Sequence, residues 1–554
     1  MAQRDISENT RRPNILGGKM LASTLPGEEI VISGISGAFP NSKNVHEFRD
    51  NLFNKVNMVT PKKRFTDFHP EIPKYGGIIP DANKFDAGFF GIHERQSNSL
   101  DTFARLMQEK TIEAIYDAGL HPSDFEGTKT GVFIGGCFSE SEISWCFDKL
   151  GSMNYAVTGS LRSIIAHRIS YFLKLKGPSY ITDTACSSSL YALEHAFRAI
   201  RLGEVDMAIV GGVQLCLLPF VTLQFARLGV LSKDGFCKVF DKNANGYSRS
   251  EAVGVIILQK SKVAKRVYAR IVHAKTNCDG YKEQGITYPS GKAQTELLKD
   301  FYTECLIDPR DLSYMEAHGT GTFVGDPEEG TAIDDTMTAN RRTPLLIGSV
   351  KSNIGHTEPA SGVCSIIKCI IALETGYIPP NINFKHPQEA IRGLIEGRLK
   401  VVTDKIPFED DRGLIGVNSF GFGGGNCHVL LQAKTKKKVN QGLPRDNLPR
   451  LVCVSGRTEE AVTSVCDEIS ENVLDVEHIR LLHDVFSKNI KTHIYRGYIL
   501  VSKSGELARS VRWSPEAETS RPLYIAFGEM KGWQEIGRQL LELPAFAESV
   551  KSFN

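Results

Sequence analysis

The sequence predicts a layered α/β protein built from two or more domains. Three observations carry this reading. The 554 residues exceed what one hydrophobic core ordinarily holds, apolar strand-like runs alternate with helical patterns, and a composition 41% apolar and 23% charged is that of a soluble globular chain. After a polar tail, residues 1–27, the runs Glu29–Ser33, Gly131–Gly136, Met207–Val213 and Ala252–Gln259 predict strands. Between them, Leu100–Gly119 reads as a helix with Phe103, Met107 and Ala114 on its apolar face and Gly119 as terminator. The longest apolar stretch, Ala208–Leu223, is too short to span a bilayer and carries Gln214, so a buried strand with its following loop is expected.

A formal charge of +2 gives no electrostatic reason to bind nucleic acid or a membrane surface. Twelve cysteines without a Cys-x-x-Cys pair point to reduced thiols and away from a metal site. The tail holds Arg11 and Arg12 but no apolar segment for secretion, and Asp5 and Glu8 count against a mitochondrial address. A cytoplasmic setting is therefore expected.

Chemistry concentrates in three places. Cys186 lies in Thr182-Asp183-Thr184-Ala185-Cys186-Ser187-Ser188-Ser189-Leu190, and from there Leu190, Leu193, Phe197 and Ile200 recur at helical spacing. A thiol just before a helix faces free backbone N–H groups, and the partial positive charge there is expected to lower its pKa below the free value of about 8.5. The alternative is a buried structural cysteine before an ordinary helix. His318 follows a strand-like run in Glu316-Ala317-His318-Gly319-Thr320-Gly321-Thr322-Phe323-Val324-Gly325-Asp326-Pro327. His356 ends Gly348-Ser349-Val350-Lys351-Ser352-Asn353-Ile354-Gly355-His356, between the apolar strand Leu345–Val350 and the apolar helix Ser361–Leu373. Both histidines are expected in strand-end turns, where α/β proteins gather ligands and catalytic groups. Singly, each is also readable as a hydrogen-bonded turn residue. The glycine run at 421–425 lacks the lysine and the following helix of a phosphate loop.

Together these motifs resemble the β-ketoacyl synthases, condensing enzymes of the thiolase-like fold, and in particular the ketosynthase domain of animal, insect-type, type I fatty acid synthase. Asp183–Ser189 resembles the nucleophile motif, Glu316–Thr322 the first histidine motif, Lys351–His356 the second, and Val417–Val429 the closing hairpin. The stretches Asp279–Gly291 and His356–Gly362 are more similar to animal fatty acid synthases than to bacterial polyketide synthases.

The resemblance implies a duplicated αβαβα layered fold followed by a small α/β linker domain. It divides the chain into an N-terminal half at 28–265, a C-terminal half at 266–432, a linker domain at 433–521 and an incomplete acyltransferase start at 522–554. It also implies an acyl chain carried on Cys186, with the N–H groups of Cys186 and Phe422 as oxyanion hole. His318 and His356 would serve as donors to the enolate formed when malonyl thioester loses carbon dioxide. A buried Lys351 would order the site, although a solvated strand-end lysine is the alternative. Thr320 and Thr322 would bind the pantetheine arm, unless Thr-Gly-Thr is simply a tight turn, and Phe420 and Phe422 would line and gate the acyl channel. No cofactor is expected on this domain, because the substrate rides on the phosphopantetheine of acyl carrier protein, and a homodimer is expected.

The basic run Ala433–Val439, with Gly442 and Pro444 after it, reads as a solvated linker. A strand is expected at Arg450–Ser455. Pro522–Asn554, with Trp533 and a helix at Ile536–Leu541, resembles the opening of an acyltransferase. However, Phe527–Trp533 is one residue short and lacks the glutamine expected before the tryptophan, and no Gly-x-Ser-x-Gly occurs. Acyltransferase activity, a carrier, a ketoreductase and a thioesterase are not read in the chain. Alternatives to a fatty acid synthase are a polyketide synthase ketosynthase, a non-catalytic dimerising paralogue and, against the second histidine, a cysteine protease.

Overall fold

The computed structural model describes residues 26–552 apart from 62–63, 65–67, 149–154, 409–412, 434–438, 515–536, 539 and 542. Most of the polar tail, the basic run after Ala433 and Trp533 with the residues around it lie outside the described residues.

The first half supplies β1 (Ile30–Ala38), β2 (Thr130–Gly135), β3 (Ser179–Thr182), β4 (Met207–Gln214) and β5 (Ala252–Lys260). The second supplies β6 (Ala269–Cys278), β7 (Leu312–Glu316), β8 (Leu345–Gly348), β9 (Leu399–Val401), β10 (Leu414–Phe420) and β11 (Gly425–Ala433). They join in one 11-stranded sheet of order β9-β8-β7-β10-β11-β6-β1-β5-β4-β2-β3. Walking outward from β1, the partners are β5 (antiparallel), β4 (antiparallel), β2 (parallel) and β3 (parallel). Outward from β6, they are β11 (antiparallel), β10 (antiparallel), β7 (parallel) and β8 (parallel). The same chain order gives the same pairing on both sides, so the fold is a duplication that no sequence repeat discloses. Only β9 and a two-residue contact between β1 and β6 break the correspondence.

Helices repeat the pattern: α1 (Thr102–Asp117), α2 (Arg162–Phe172) and α3 (Ser188–Arg201), then α4 (Gly291–Cys305), α5 (Gly325–Met337) and α6 (Ser361–Thr375). Strand residues alternate between two buried faces, which is why the strands read as continuous apolar runs. Val132, Ile134, Ile209 and Ile257 pack outward with α1 and α2, whereas Phe133, Val210 and Ile256 pack inward. The inward residues meet α3 and α6, which lie between the two half-sheets, and Met315, Ile347 and Leu430 pack outward with α4 and α5. The result is five layers, αβαβα.

Several elements differ from expectation in detail. Met207–Gln214 is the strand expected, but a helix at Pro219–Arg227 follows it instead of a loop, started by Pro219 in its first turn. The strand expected at Glu29–Ser33 runs on to Ala38 through an irregularity between Ile32 and Gly34. Gly119 lies just beyond α1 with φ +70, the left-handed conformation that ends a helix.

The remaining unit is a three-stranded antiparallel sheet, β12 (Arg450–Gly456), β13 (Tyr495–Ser502) and β14 (Gly505–Trp513), with α7 (Glu459–Glu471) and α8 (Val476–Phe486). It has its own core of Val452, Val454, Val462, Cys466, Ile479 and Ile499. Lys488 and Asp124 (2.6 Å) and the pair Arg457–Asp86 join it to the first half. Among the described residues no helix is long and apolar enough to cross a membrane.

Helix α6 is buried from Ser361 through Ala372, which includes Lys368. Its ammonium donates to Glu316 (2.7 Å) and to the Tyr314 hydroxyl (3.0 Å), while the same carboxylate accepts the Val350 N–H (2.6 Å). Strand β7 is thereby tied to both α6 and the turn after β8. Removing one partner strands the other charge in the core, at a cost of about 3–5 kcal/mol. Lys368→Met is expected to lower the denaturant midpoint of the large domain, and Glu316→Gln added to it to restore most of the loss. An unchanged midpoint in the single variant would show that the pair does not bind these elements together.

Candidate active site

Cys186 stands on a sharp turn between β3 and α3. Ala185 adopts φ +55, a left-handed conformation costing a non-glycine residue roughly 1–2 kcal/mol, and it is held there from both sides. Asp183 accepts the Ala185 N–H (3.2 Å) and the Cys137 thiol (3.1 Å), and Ser188 Oγ donates to the Ala185 carbonyl (2.5 Å). The Cys186 carbonyl accepts from Ser361 Oγ (3.0 Å) at the start of α6 and from Ser419 Oγ (2.9 Å) on β10. The Cys186 turn is therefore clamped by elements of the other half.

The hairpin β10–β11 approaches this turn as closely as backbone allows. A Cβ on Gly421 would stand 2.4 Å from the Thr184 carbonyl oxygen, so glycine is required there. That approach sets the Phe422 N–H, with that of Cys186 itself, where the two favour the thiolate form of Cys186.

The thiol is not acidified, contrary to the expectation from the helix start. Burial pushes it up to about 12, the Glu358 carboxylate acts in the same direction, and Lys351 and the two N–H groups only partly oppose them. Position before a helix is visible in sequence, whereas desolvation is set by the walls that other segments build.

His318 lies two residues beyond β7. Its N–H and that of Gly319 each donate to Glu329 on α5 (both 2.7 Å), and the N–H groups of Thr320 and Gly321 donate to Asp326 (both 3.1 Å). Its carbonyl accepts from Lys351 Nζ (2.5 Å) and Ser349 Oγ (3.2 Å). Lys351 is 1% exposed, which rules out the solvated alternative. Burial pulls its pKa down, while Glu316 and Glu329 push it up.

His356 follows β8 only after a short helix, Lys351–Ile354, so its turn is longer than the simple strand end expected. Its backbone is bridged to Arg249, and its Nδ1 accepts the Glu358 N–H (3.2 Å). The neutral ring must then carry its proton on Nε2. That atom is buried without a hydrogen-bond partner among the described residues, as is His318 Nδ1. Burial, helped by the charge on Lys351, holds both imidazoles well below the ordinary histidine range. The rings lie 5.5 Å apart, nearly perpendicular. Glu358, just past His356, forms a buried two-bond pair with Arg249 (2.5 and 3.0 Å).

Cys186, His318, His356, Thr320, Thr322, Phe420 and Phe422 all line one cavity of about 460 Å³. Phe420 is buried 5.9 Å from the His318 ring, while Phe422 is 42% exposed at the mouth with its edge toward Phe225. The two threonine hydroxyls lie 3.1 Å apart. Lys351 acts from behind the wall, through the His318 carbonyl. Sequence reading missed Glu329, Asp326, Ser361, Ser419 and the Arg249–Glu358 pair. Asp326 and Glu329 left a signal, two carboxylates three residues apart on one helix face directly after a Gly-Thr-Gly-Thr turn. Arg249 left none, because its partner lies more than a hundred residues away.

Comparison with known proteins agrees with this geometry. The β-ketoacyl synthase N-terminal domain matches residues 27–264, its C-terminal domain 268–385, and the ketoacyl-synthetase C-terminal extension 387–500. A fatty acid synthase sequence of the goose Anser anser anser is 49% identical over 350 residues, 63% of this chain and 99% of that one. A phenolphthiocerol/phthiocerol polyketide synthase of Mycobacterium tuberculosis is 33% identical over 562 residues, covering 94% of this chain but 30% of its own. Among solved structures, the ketosynthase from module 6 of the Bacillus subtilis 168 bacillaene synthase has a TM-score of 0.73 at 32% identity, covering 86% of this chain and 82% of that one. An oxazolomycin ketosynthase domain of Streptomyces albus JA3453 has a TM-score of 0.79 at 26% identity, covering 89% and 91%. By its duplicated layers, its shared cavity and these matches, the chain belongs to the β-ketoacyl synthase family of condensing acyltransferases.

Proposed function

We propose that this chain catalyses the decarboxylative Claisen condensation of fatty acid biosynthesis, taking its acyl group and malonyl unit from thioesters on acyl carrier protein. The observation that carries the reading is one cavity containing a desolvated thiol, two backbone N–H groups that favour its thiolate, and two neutral imidazoles.

In the first half-reaction the Cys186 sulfur attacks the acyl thioester carbonyl. A new carbon–sulfur bond forms, the carrier's carbon–sulfur bond breaks, and the carrier thiol leaves with the proton. Since the thiol is held protonated, its proton leaves the sulfur as attack proceeds and passes to the departing carrier sulfur. The N–H groups of Cys186 and Phe422 meet the tetrahedral oxyanion. In the second half-reaction the bond from malonyl carbon to carboxylate breaks, carbon dioxide leaves, and the electron pair becomes an enolate. His356 Nε2–H and a donor from His318 stabilise its oxygen. The enolate carbon then attacks the Cys186 thioester carbonyl, a carbon–carbon bond forms, the bond to the Cys186 sulfur breaks, and the released thiolate takes up a proton from water. Lys351 orders the His318 turn, Thr320 and Thr322 face the pantetheine arm, and Phe420 and Phe422 form the inner wall and the gate.

The goose relative supports a fatty acid product, together with the likeness of Asp279–Gly291 and His356–Gly362 to animal sequences. Polyketide synthase relatives that cover most of this chain favour a polyketide ketosynthase as the second reading, and product analysis separates the two. A cytoplasmic homodimer belongs to the same proposal. Strand β3 is the outer edge of the sheet, with exposed Tyr180 on it and exposed Phe138 and Tyr171 in the segments beside it.

The roles separate by half-reaction. With acyl thioester, mass spectrometry of the full chain is expected to find the acyl group on Cys186 and none in Cys186→Ala. His318→Ala and His356→Ala are each expected to slow malonyl decarboxylation by about 10²–10³ while leaving Cys186 acylated. Wild-type decarboxylation in both variants would remove the enolate role. Protonation supplies a further check. A thiol with its pKa near 12 gains thiolate about tenfold per pH unit below that value, so alkylation of Cys186 by iodoacetamide should climb from pH 7 to 10 without a plateau. A plateau near pH 8 would mean an acidified cysteine.

A further inference from the structure

Beyond the catalytic groups, one buried polar chain leads to the His318 turn from the far side of the second half. His428, on β11, is fully buried, with the Phe301 ring edge-on at 4.4 Å. Its Nδ1 lies 2.6 Å from Asn418 Oδ1 and its Nε2 3.2 Å from the Tyr302 hydroxyl on α4. Asn418 Nδ2 in turn donates to Glu329 Oε1 (3.0 Å), the carboxylate that also accepts the His318 and Gly319 N–H groups.

These contacts fix every proton along the path. A carboxylate among three N–H donors has nothing to which a proton of its own could point, so Glu329 is held as the anion. The amide nitrogen of Asn418 therefore faces it, and the amide oxygen faces His428. An amide oxygen only accepts, so His428 carries its proton on Nδ1. Burial pushes this imidazole down to about 3, helped by His273, so it stays neutral and its Nε2 must accept from the Tyr302 hydroxyl. The donors then run one way, from Tyr302 to His428 to Asn418 to Glu329. Aligned hydrogen bonds of this kind polarise one another, and their effect grows in a dry interior.

We propose that His428 and Tyr302 are positioning residues for the condensation, acting through Asn418 to keep Glu329 anionic and so to hold the His318 turn in place. The proposal rests on the decarboxylation role given to His318. Burial raises the pKa of Glu329 above the ordinary carboxylate value, and the three N–H donors and the Lys351 charge oppose that rise only in part, so each donor counts toward keeping it anionic. Remove the Nδ1 donor and the Asn418 amide is free to turn. One of the three contacts that keep Glu329 charged is lost, and a protonated Glu329 would no longer fit the His318 and Gly319 N–H groups. The influence passes through backbone position, so decarboxylation should suffer while acylation of Cys186, built on other elements, does not.

The test uses the full chain with His428→Leu, His428→Asn, Tyr302→Phe and, as reference, His318→Ala. His428→Leu is expected to lower kcat for carbon dioxide release from malonyl thioester about 10-fold, as for loss of one hydrogen bond directed at a buried charge, with KM and Cys186 acylation within about twofold of wild type. In His428→Asn the amide nitrogen replaces Nδ1, and kcat should recover to within about threefold. Tyr302→Phe should fall between the two. Equal losses in both half-reactions, or an asparagine variant no better than leucine, would overturn the proposal. If the leucine variant does not fold, ¹⁵N spectra of histidine-labelled wild type decide: a proton on Nδ1 of His428 supports the chain and a proton on Nε2 overturns it. A His318→Ala enzyme at full rate would remove the role of His318 and this proposal with it. An impaired His318→Ala beside an unimpaired His428→Leu overturns the chain alone.

Discussion

The constraint on which the site depends is the cost of removing charge from water. Cys186, His318 and His356 are buried side chains that line one cavity, and in each the neutral form wins. A site of this kind does not begin with standing charges. Under the proposed reaction, the thioester oxyanion and the enolate oxygen would form against N–H groups already in place. The charges the protein does bury lie behind the wall, each with partners: Glu329 under three N–H donors, Arg249 with Glu358, Lys368 with Glu316, and Lys351 on the His318 carbonyl. Lys351, Glu329 and Glu316 bond backbone groups of the turns around the cavity.

Duplication explains how the groups converge. Cys186 follows β3, and Lys351 and His356 follow β8, its equivalent in the second half. His318 follows β7, whose equivalent β2 leads to Cys137, the thiol that donates to Asp183 under the Cys186 turn. Related turns of the two halves thus face one cavity with different chemistry on each. The helices after β3 and β8 are α3 and α6, the pair between the half-sheets. Ser361, at the start of α6, bonds the Cys186 carbonyl, and Ser419 on β10 bonds it from the hairpin. Neither half holds Cys186 alone, and the Gly421–Thr184 approach makes their fit tight enough to exclude even a methyl group.

Local signals are legible in the sequence. Leu190, Leu193, Phe197 and Ile200 announce α3, and the apolar runs give β2, β4 and β5, because these depend on periodicity within one segment. Three of the motifs mark Cys186, His318, Lys351 and His356 and the fourth marks Phe420 and Phe422, and all of these residues meet at the cavity or directly behind it. The acidity expected of the cysteine fails because helix position is local and desolvation is not. The duplication stays hidden because pairing order can be kept while side chains change. The chain from Tyr302 to Glu329 is invisible for the same reason: its members sit on four elements and share no spacing.

The account turns on two imidazoles that remain neutral through the physiological range. The most direct measurement is a histidine ¹⁵N titration of the wild-type chain between pH 5.5 and 8, with His318 and His356 assigned by single substitution. Burial beside Lys351 predicts that neither ring titrates in that window. A midpoint near the ordinary value of about 6.5 for either ring would contradict it, since a cation in the cavity would mean that water, and not the protein, sets the charge there.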